Sequence, residues 1–241
     1  MAKIGKNNNK IPKRGSSKAG EALKTIIGLL LLPVVVSISL TFYRQFGNFE
    51  SPWTVGQQYF TLGVAVYCIM HLLVFKPSYF YVLGHESVHA LATWMCLGRV
   101  KSFKVNSATG SVATTKNNIF ISLAPYFVPF YAILLAIAAY VANNVFLKTP
   151  LPYKYFLFLL GFTLAFHIIM TIDVLKTKQP DLVKAGYLTS GIIIYAINVI
   201  VIAGILGLMT SGFSFTEFMR DAWTLTADIY KKIYAQLFIN S

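Results

Sequence analysis

The stretch His85-Glu86-Ser87-Val88-His89 combines residue types and spacing that suit a metal site with its own base. On a helix, residues four apart share a face, so both imidazoles can reach one cation. Glu86 projects about 100° away from His85, close enough to hold a water molecule without being a ligand itself. Zinc activates water as a nucleophile at neutral pH, and a neighbouring glutamate can accept the proton. The pattern therefore predicts His85 and His89 as zinc ligands and Glu86 as the general base.

The segment around this motif, Pro77–Gly98, is otherwise almost free of charge and consists largely of aromatic and aliphatic residues. In soluble helices the same motif often arises as a surface salt-bridge pattern, and a hydrogen-bonded structural cluster is a further alternative. Two histidines and a carboxylate are costly at membrane depth unless they are paired or bound to something. The apolar surroundings therefore favour the metal site.

The composition is that of a membrane protein. Of the 241 residues, 56% are hydrophobic and only 12% are charged, far from the usual balance of a soluble domain. Crossing a bilayer takes about 20 residues of helix, and backbone groups in lipid must be satisfied internally. We therefore expect an all-α bundle of about six transmembrane helices, multi-pass in the cell membrane, formed by Pro77–Gly98 and five uncharged runs: Thr25–Tyr43, Ser51–Phe75, Asn117–Leu147, Tyr155–Ile172 and Ala185–Thr216.

The two ends of the chain differ from this apolar middle. Residues 1–24 are basic and polar, which predicts a disordered tail. A signal peptide is the alternative, but no small-residue cleavage site follows the first apolar run. We therefore expect Thr25–Tyr43 to be a helix that is retained in the protein. Residues 25–212 form the predicted transmembrane domain. In residues 213–241, apolar residues recur every three or four positions, which predicts an amphipathic helix on the membrane surface, with docking on a partner as the alternative.

The net charge of +13 comes from basic residues in the tail and in short loops beside apolar runs. Attraction to anionic lipid headgroups explains this distribution, and no nucleic-acid-binding motif is present in the sequence. Cys68 and Cys96 both lie within apolar segments, where we expect small buried side chains rather than a disulfide. The sequence thus predicts the lipid bilayer, and not nucleic acid, as a partner.

Two segments after the motif predict irregular structure. Arg99–Lys116 carries β-branched residues in partial alternation around a turn-like stretch, Asn106–Gly110, which predicts a small β-hairpin; a plain connecting loop is the alternative. Asn117–Leu147 contains Pro125 and Pro129, which predict a distorted helix with free carbonyl groups. Such a helix should pack inside the bundle.

A catalytic zinc usually has three protein ligands and one open position. Downstream of His89, the candidates for the third ligand are His167, Asp173, Asp181 and Glu217. Spacing alone does not choose among them, because the pairing is tertiary. An aspartate at a helix start, as at Asp181, also has an ordinary role as a cap.

Several motifs together resemble those of the site-2 protease family of intramembrane zinc metalloproteases. The resemblance covers roughly residues 79 to 194 and rests on His85-Glu86-Ser87-Val88-His89-Ala90, Gly98-Arg99-Val100, the hairpin-like stretch, Ala124-Pro125-Tyr126 and Gln179-Pro180-Asp181-Leu182. The first motif matches fully, whereas in the last one Leu182 stands where the family typically has glycine. The resemblance implies Asp181 as the third ligand, beside His85 and His89, with Glu86 as the base.

The same resemblance implies a membrane-anchored protein as substrate, held by strand addition to the hairpin. The family's middle helix often supplies an asparagine near the scissile carbonyl, but none stands beside Ala124-Pro125. His167 is the candidate for stabilising the developing charge in its place.

Two other functions remain open at this point. Glu217-Phe218-Met219-Arg220-Asp221 resembles the E-x-x-x-D motif of the CAAX-type membrane zinc metalloproteases, which would make Glu217 the third ligand. A non-catalytic membrane protein, such as a transporter or an assembly factor, could use the histidines for metal binding or hydrogen bonds. Glu86 argues against that last function, since a pure binding site needs no base there.

Overall fold

The computed structural model describes residues 18–47, 54–106, 109–147 and 151–239. This part of the chain is mostly helical and contains one two-stranded antiparallel hairpin. In chain order the elements are α1 (Lys18–Phe46), α2 (Val55–Leu73), α3 (Ser78–Met95), β1 (Val100–Val105), β2 (Gly110–Thr114), α4 (Ile119–Leu123), α5 (Phe130–Val141), α6 (Tyr153–Leu175), α7 (Tyr187–Met209) and α8 (Phe215–Phe238). Short 3-10 turns at Ala124–Tyr126 and Pro180–Val183 and a π-helical turn at Ala142–Phe146 complete it.

Both predicted ends of the chain can be compared with this order. Residues 1–17 of the predicted disordered tail lie outside the described residues, but α1 begins at Lys18, earlier than the expected start at Thr25. In the predicted amphipathic region, α8 spans Phe215–Phe238 and buries Phe218 and Ala222. That α8 lies on a membrane surface stays a prediction.

Three helices of the described chain, α1, α6 and α7, are long and apolar enough to cross a membrane. The number rises to five if each of two bent pairs counts as one span. Helices α2 and α3 are bent by 118° at Lys76-Pro77, and α4 and α5 by 74° around Pro125 and Pro129. Proline lacks the backbone N–H that a continuous helix needs. The described helices are thus consistent with a membrane protein, and six separate crossings are not confirmed.

Helices α2 and α6 pack with their backbones in contact at two glycines. A Cβ atom on Gly63 would overlap the carbonyl oxygen of Phe158, and one on Gly161 would overlap the carbonyl oxygen of Phe60. Small residues let membrane helices approach this closely. The α2–α6 pair is therefore closely packed. Helix α3 packs against this pair through a cluster of buried side chains: Tyr67, Tyr81, Ala165, Phe166 and Met170.

A second buried cluster holds the motif helix from another side. Val88 and Ala92 of α3 pack with Ile121 of α4, Tyr126 of the following 3-10 turn and Leu182 of the turn before α7. The three segments that contain them, α3, residues 119–126 and the turn Pro180–Val183, are distant in sequence. Their packing brings the histidine motif, the proline-interrupted helix and the Asp181 turn to one place.

The hairpin predicted within Arg99–Lys116 is confirmed. Strands β1 and β2 are antiparallel, with Phe103 opposite Val112 and Val105 opposite Gly110, and the register shifts between Val100 and Ser102. Residues 107 and 108 of the predicted turn lie outside the described residues. The β2 strand lies against α3, because Gly110 has no side chain to keep it away: a Cβ there would be 2.5 Å from Cγ of Glu86.

Replacing Gly161 with alanine should lower the stability of the protein in detergent. The added methyl group meets backbone atoms that cannot turn aside, so overpacking should cost about 1–3 kcal/mol. Thermal unfolding of the purified protein measures the effect. The matched control is Gly191→Ala in α7, where an added Cβ meets nothing within 4 Å. Equal loss in both variants would contradict the close approach of α2 and α6.

Candidate metal centre

The two motif histidines lie one turn apart on α3 and point the same way. Their ring centroids are 4.8 Å apart, with the ring planes at 80°. The Nε2 atoms of His85 and His89 lie 3.7 and 3.5 Å from Oδ2 of Asp181. Asp181 comes from the 3-10 turn Pro180–Val183 between α6 and α7. The candidate site is thus assembled from one helix and one turn that are remote in sequence.

Two nitrogen atoms and a carboxylate at these distances suit a small tetrahedral cation. With zinc–ligand bonds of about 2.0–2.2 Å, tetrahedral ligand atoms lie about 3.3 Å apart, close to the distances found. In the described part of the chain, His85, His89 and Asp181 form a group whose ligand atoms all lie within 4.8 Å of one another. This group could hold a metal ion.

The other imidazole nitrogen of His89 has a backbone partner that fixes the ring. Nδ1 of His89 donates to the carbonyl oxygen of Ile121 over 2.8 Å, because a carbonyl can only accept. This carbonyl is free because the residue four positions on is Pro125, which has no N–H to offer it. The proton on Nδ1 leaves the lone pair on Nε2 for a cation, an arrangement common among metal-binding histidines.

Asp181 is also held from outside the site. The hydroxyl of Tyr126 donates to Oδ2 of Asp181 over 3.1 Å. Burial alone would raise the pKa of the Asp181 carboxyl, but its contacts with His85 and His89 outweigh burial and hold that pKa below its usual range. The aspartate is therefore in the anionic form that a cation needs.

Glu86 faces a cleft between α3 and the hairpin. Its side chain is largely buried, with the residue 8% exposed. The cleft has a volume of about 280 Å³. Its walls include the three candidate ligands, strand β2 and several polar side chains from the surrounding turns: Asn117, Ser122 and Gln179. The base and the candidate cation site thus open into the same space.

The other candidates for the third ligand lie elsewhere. Asp173 pairs with His71 at 3.1 Å, with Lys76 at 2.5 Å and with Lys176 at 2.7 Å. Glu217 is exposed in the first turn of α8. Neither joins the group around His85, so the geometry favours Asp181 over both.

His167 lies apart from the cleft that contains Glu86. It lines a small cavity on another side of His85 and is not among the residues that line the cleft with Glu86. Its predicted role of stabilising the developing charge stays a prediction. Of the polar side chains that do reach the cleft, Asn117 carried no sequence signal beyond its polarity, whereas Gln179 belongs to the motif Gln179-Pro180-Asp181-Leu182.

Comparison with known proteins adds nothing to these observations. A scan against protein-family models found no match, and searches of curated proteins and of solved structures found none either. The resemblance to site-2 proteases therefore rests on the sequence motifs alone.

Removing the Asp181 carboxylate should abolish tight metal binding. In Asp181→Ala one of three ligands is gone, so zinc affinity should fall at least about 100-fold, beyond the 10- to 100-fold expected for an outer partner. Competition with a fluorescent zinc chelator measures the affinity in purified protein. The matched control is Glu217→Ala, which should bind zinc as wild type does. Loss in Glu217→Ala with retention in Asp181→Ala would refute the assignment.

Proposed function

We propose that the protein is an intramembrane zinc metalloprotease, similar to the site-2 proteases, that cleaves a membrane-anchored protein substrate in the cell membrane. The observation that carries the proposal is the convergence of His85, His89 and Asp181 beside Glu86 at the wall of one cleft. All of these groups lie in a chain whose helices are apolar enough to span a membrane. A transporter or a storage site has no need of Glu86.

Zinc suits this ligand set better than other common divalent ions. Two imidazoles and one carboxylate are the ligands of a well-known class of catalytic zinc sites, whereas magnesium and calcium prefer oxygen ligands alone. When bound, zinc would polarise the scissile carbonyl group and favour ionisation of water. With three protein ligands, zinc would have one further position for water or substrate.

Glu86 supplies the proton transfers. Its carboxylate would take a proton from the attacking water and deliver it to the departing amine, the usual cycle of a general base that later acts as an acid. Its place on α3 keeps it beside His85 and His89 without competing for the cation. The approach of Gly110 confines its side chain, because β2 runs directly over Glu86.

The hairpin offers a place for an extended substrate segment. In the two-stranded sheet of the described chain, β2 pairs with β1 along one edge and has no strand along its other edge. Four residues of β2 line the cleft: Gly110, Ser111, Val112 and Thr114. An unpaired strand edge can bind another segment through backbone hydrogen bonds. A peptide bond held in this way is exposed, whereas in an intact helix its carbonyl is occupied by its own hydrogen bond. A substrate helix would therefore have to unwind locally to be cut.

The Glu86→Gln variant should keep zinc and lose cleavage. Glutamine preserves shape but cannot accept the proton, and general-base catalysis is typically worth about 10²–10⁴-fold. Turnover should be followed on two substrates: fluorescein-labelled casein, and a single-span protein whose membrane segment is broken by Gly-Pro. Zinc content is measured on the same samples.

The outcomes of this experiment separate the metal site from the reaction. Cleavage by wild type that ends with Glu86→Gln and with 1,10-phenanthroline supports the protease. Unchanged turnover in Glu86→Gln removes the glutamate from its role. A zinc-loaded wild type that cuts neither substrate counts against the proposed reaction, while leaving the metal centre in place.

Gly110→Ala should reduce cleavage while zinc stays bound. The new Cβ would lie 2.5 Å from Cγ and 2.9 Å from Oε1 of Glu86, so either the base or the strand edge must move. Displacement of a catalytic group by about 1 Å can cost about 100-fold. The same two substrates and the zinc measurement apply, with Gly191→Ala as the matched glycine substitution. Full activity in Gly110→Ala would show that β2 does not confine Glu86.

A further inference from the structure

A small cavity lies beside His85, apart from the cleft that contains Glu86. Its volume is about 20 Å³, and His85 of α3 and His167 of α6 both line it. Most of the remaining wall is aromatic or aliphatic, as at Tyr81, Val88 and Phe166. The cavity therefore connects the candidate metal ligand His85 to the helix that is fixed against α2.

Two buried nitrogen atoms of these lining residues lack a hydrogen bond of ordinary geometry in the described chain: Nδ1 of His85 and Nε2 of His167. The side chain of Asn198, whose Oδ1 is likewise unpaired, lies near His167. His89 differs, because its Nδ1 donates to Ile121. With Nε2 of His85 turned to a cation, its Nδ1 carries the proton and needs an acceptor. Burying such a donor unpaired is unfavourable, and buried polar groups almost always find a partner.

The cavity has the volume for one water molecule. One water molecule needs a cavity volume of about 10–15 Å³ and two or more polar partners. One water can accept a hydrogen bond from Nδ1 of His85 and donate one to Nε2 of His167. A water in this position would give both nitrogens a hydrogen-bond partner.

We propose that a buried water links Nδ1 of His85 to Nε2 of His167, and that His167 is a positioning residue for the metal ligand His85. The inference rests on the proposed zinc site and adds how one of its ligands is held. His89 is then oriented by the interrupted helix and His85 by α6, from two different parts of the bundle. This gives His167 a function that does not require it to reach the substrate.

The test compares two substitutions of His167 in the full chain. His167→Leu removes the acceptor, and zinc affinity should fall about 10- to 100-fold, as for other outer partners of metal-binding histidines. His167→Gln places an amide oxygen near the position of Nε2 and should restore affinity to near the wild-type value. Affinity is measured by chelator competition, with zinc alone as the ligand. The thermal unfolding of each metal-free form is measured in parallel.

The control is Thr41→Val, which removes another buried polar atom without a partner, in α1 and away from the cavity. It should leave zinc affinity unchanged. Equal affinity of wild type and His167→Leu, with Asp181→Ala still unable to bind, overturns this inference alone. A wild type that binds no zinc overturns the metal centre and the inference with it.

If His167→Leu does not fold, a density map of the zinc-bound wild type decides: a water within hydrogen-bond distance of both nitrogens supports the link, and a dry cavity refutes it.

Discussion

The structure depends on the cost of placing imidazoles and carboxylates among apolar membrane helices. Such groups are expensive in this setting unless each polar atom has a partner. The chain meets the cost by bringing them together: Asp181 reaches both Nε2 atoms, Tyr126 reaches Asp181, and Ile121 reaches His89. A cation among His85, His89 and Asp181 would complete the set. The same arrangement that makes burial tolerable thus creates a site that could hold a metal.

Prolines provide the geometry that this arrangement needs. Pro77 lies between α2 and α3, directly before α3 begins, and the two helices are bent by 118°. Pro125 leaves the carbonyl of Ile121 without a helical partner, so that it can orient His89. Pro180 begins the turn that carries Asp181. Irregular backbone at membrane depth is tolerated where protein surrounds it, and here the irregular segments pack around the histidines.

The sequence predicted local features well and tertiary ones poorly. The spacing of His85, Glu86 and His89 predicted their shared helix, because four residues make about one turn. Asp181 was implied by the resemblance alone, since no spacing rule links it to α3. The role of Tyr126 was not predicted, because its partner lies 55 residues away. Six crossings are not confirmed, because the two predicted runs that contain α2 and α3 form a sharply bent pair, which counts as one possible span. Composition alone does not reveal such a bend.

X-ray absorption spectroscopy at the zinc edge, on purified protein loaded with one equivalent of zinc, tests the central claim most directly. The account predicts a four-coordinate centre with two imidazole nitrogens and only nitrogen or oxygen neighbours, at about 2.0–2.2 Å. Sulfur at about 2.3 Å, from Cys68 or Cys96, would contradict it. So would a spectrum of hydrated zinc without imidazole scattering.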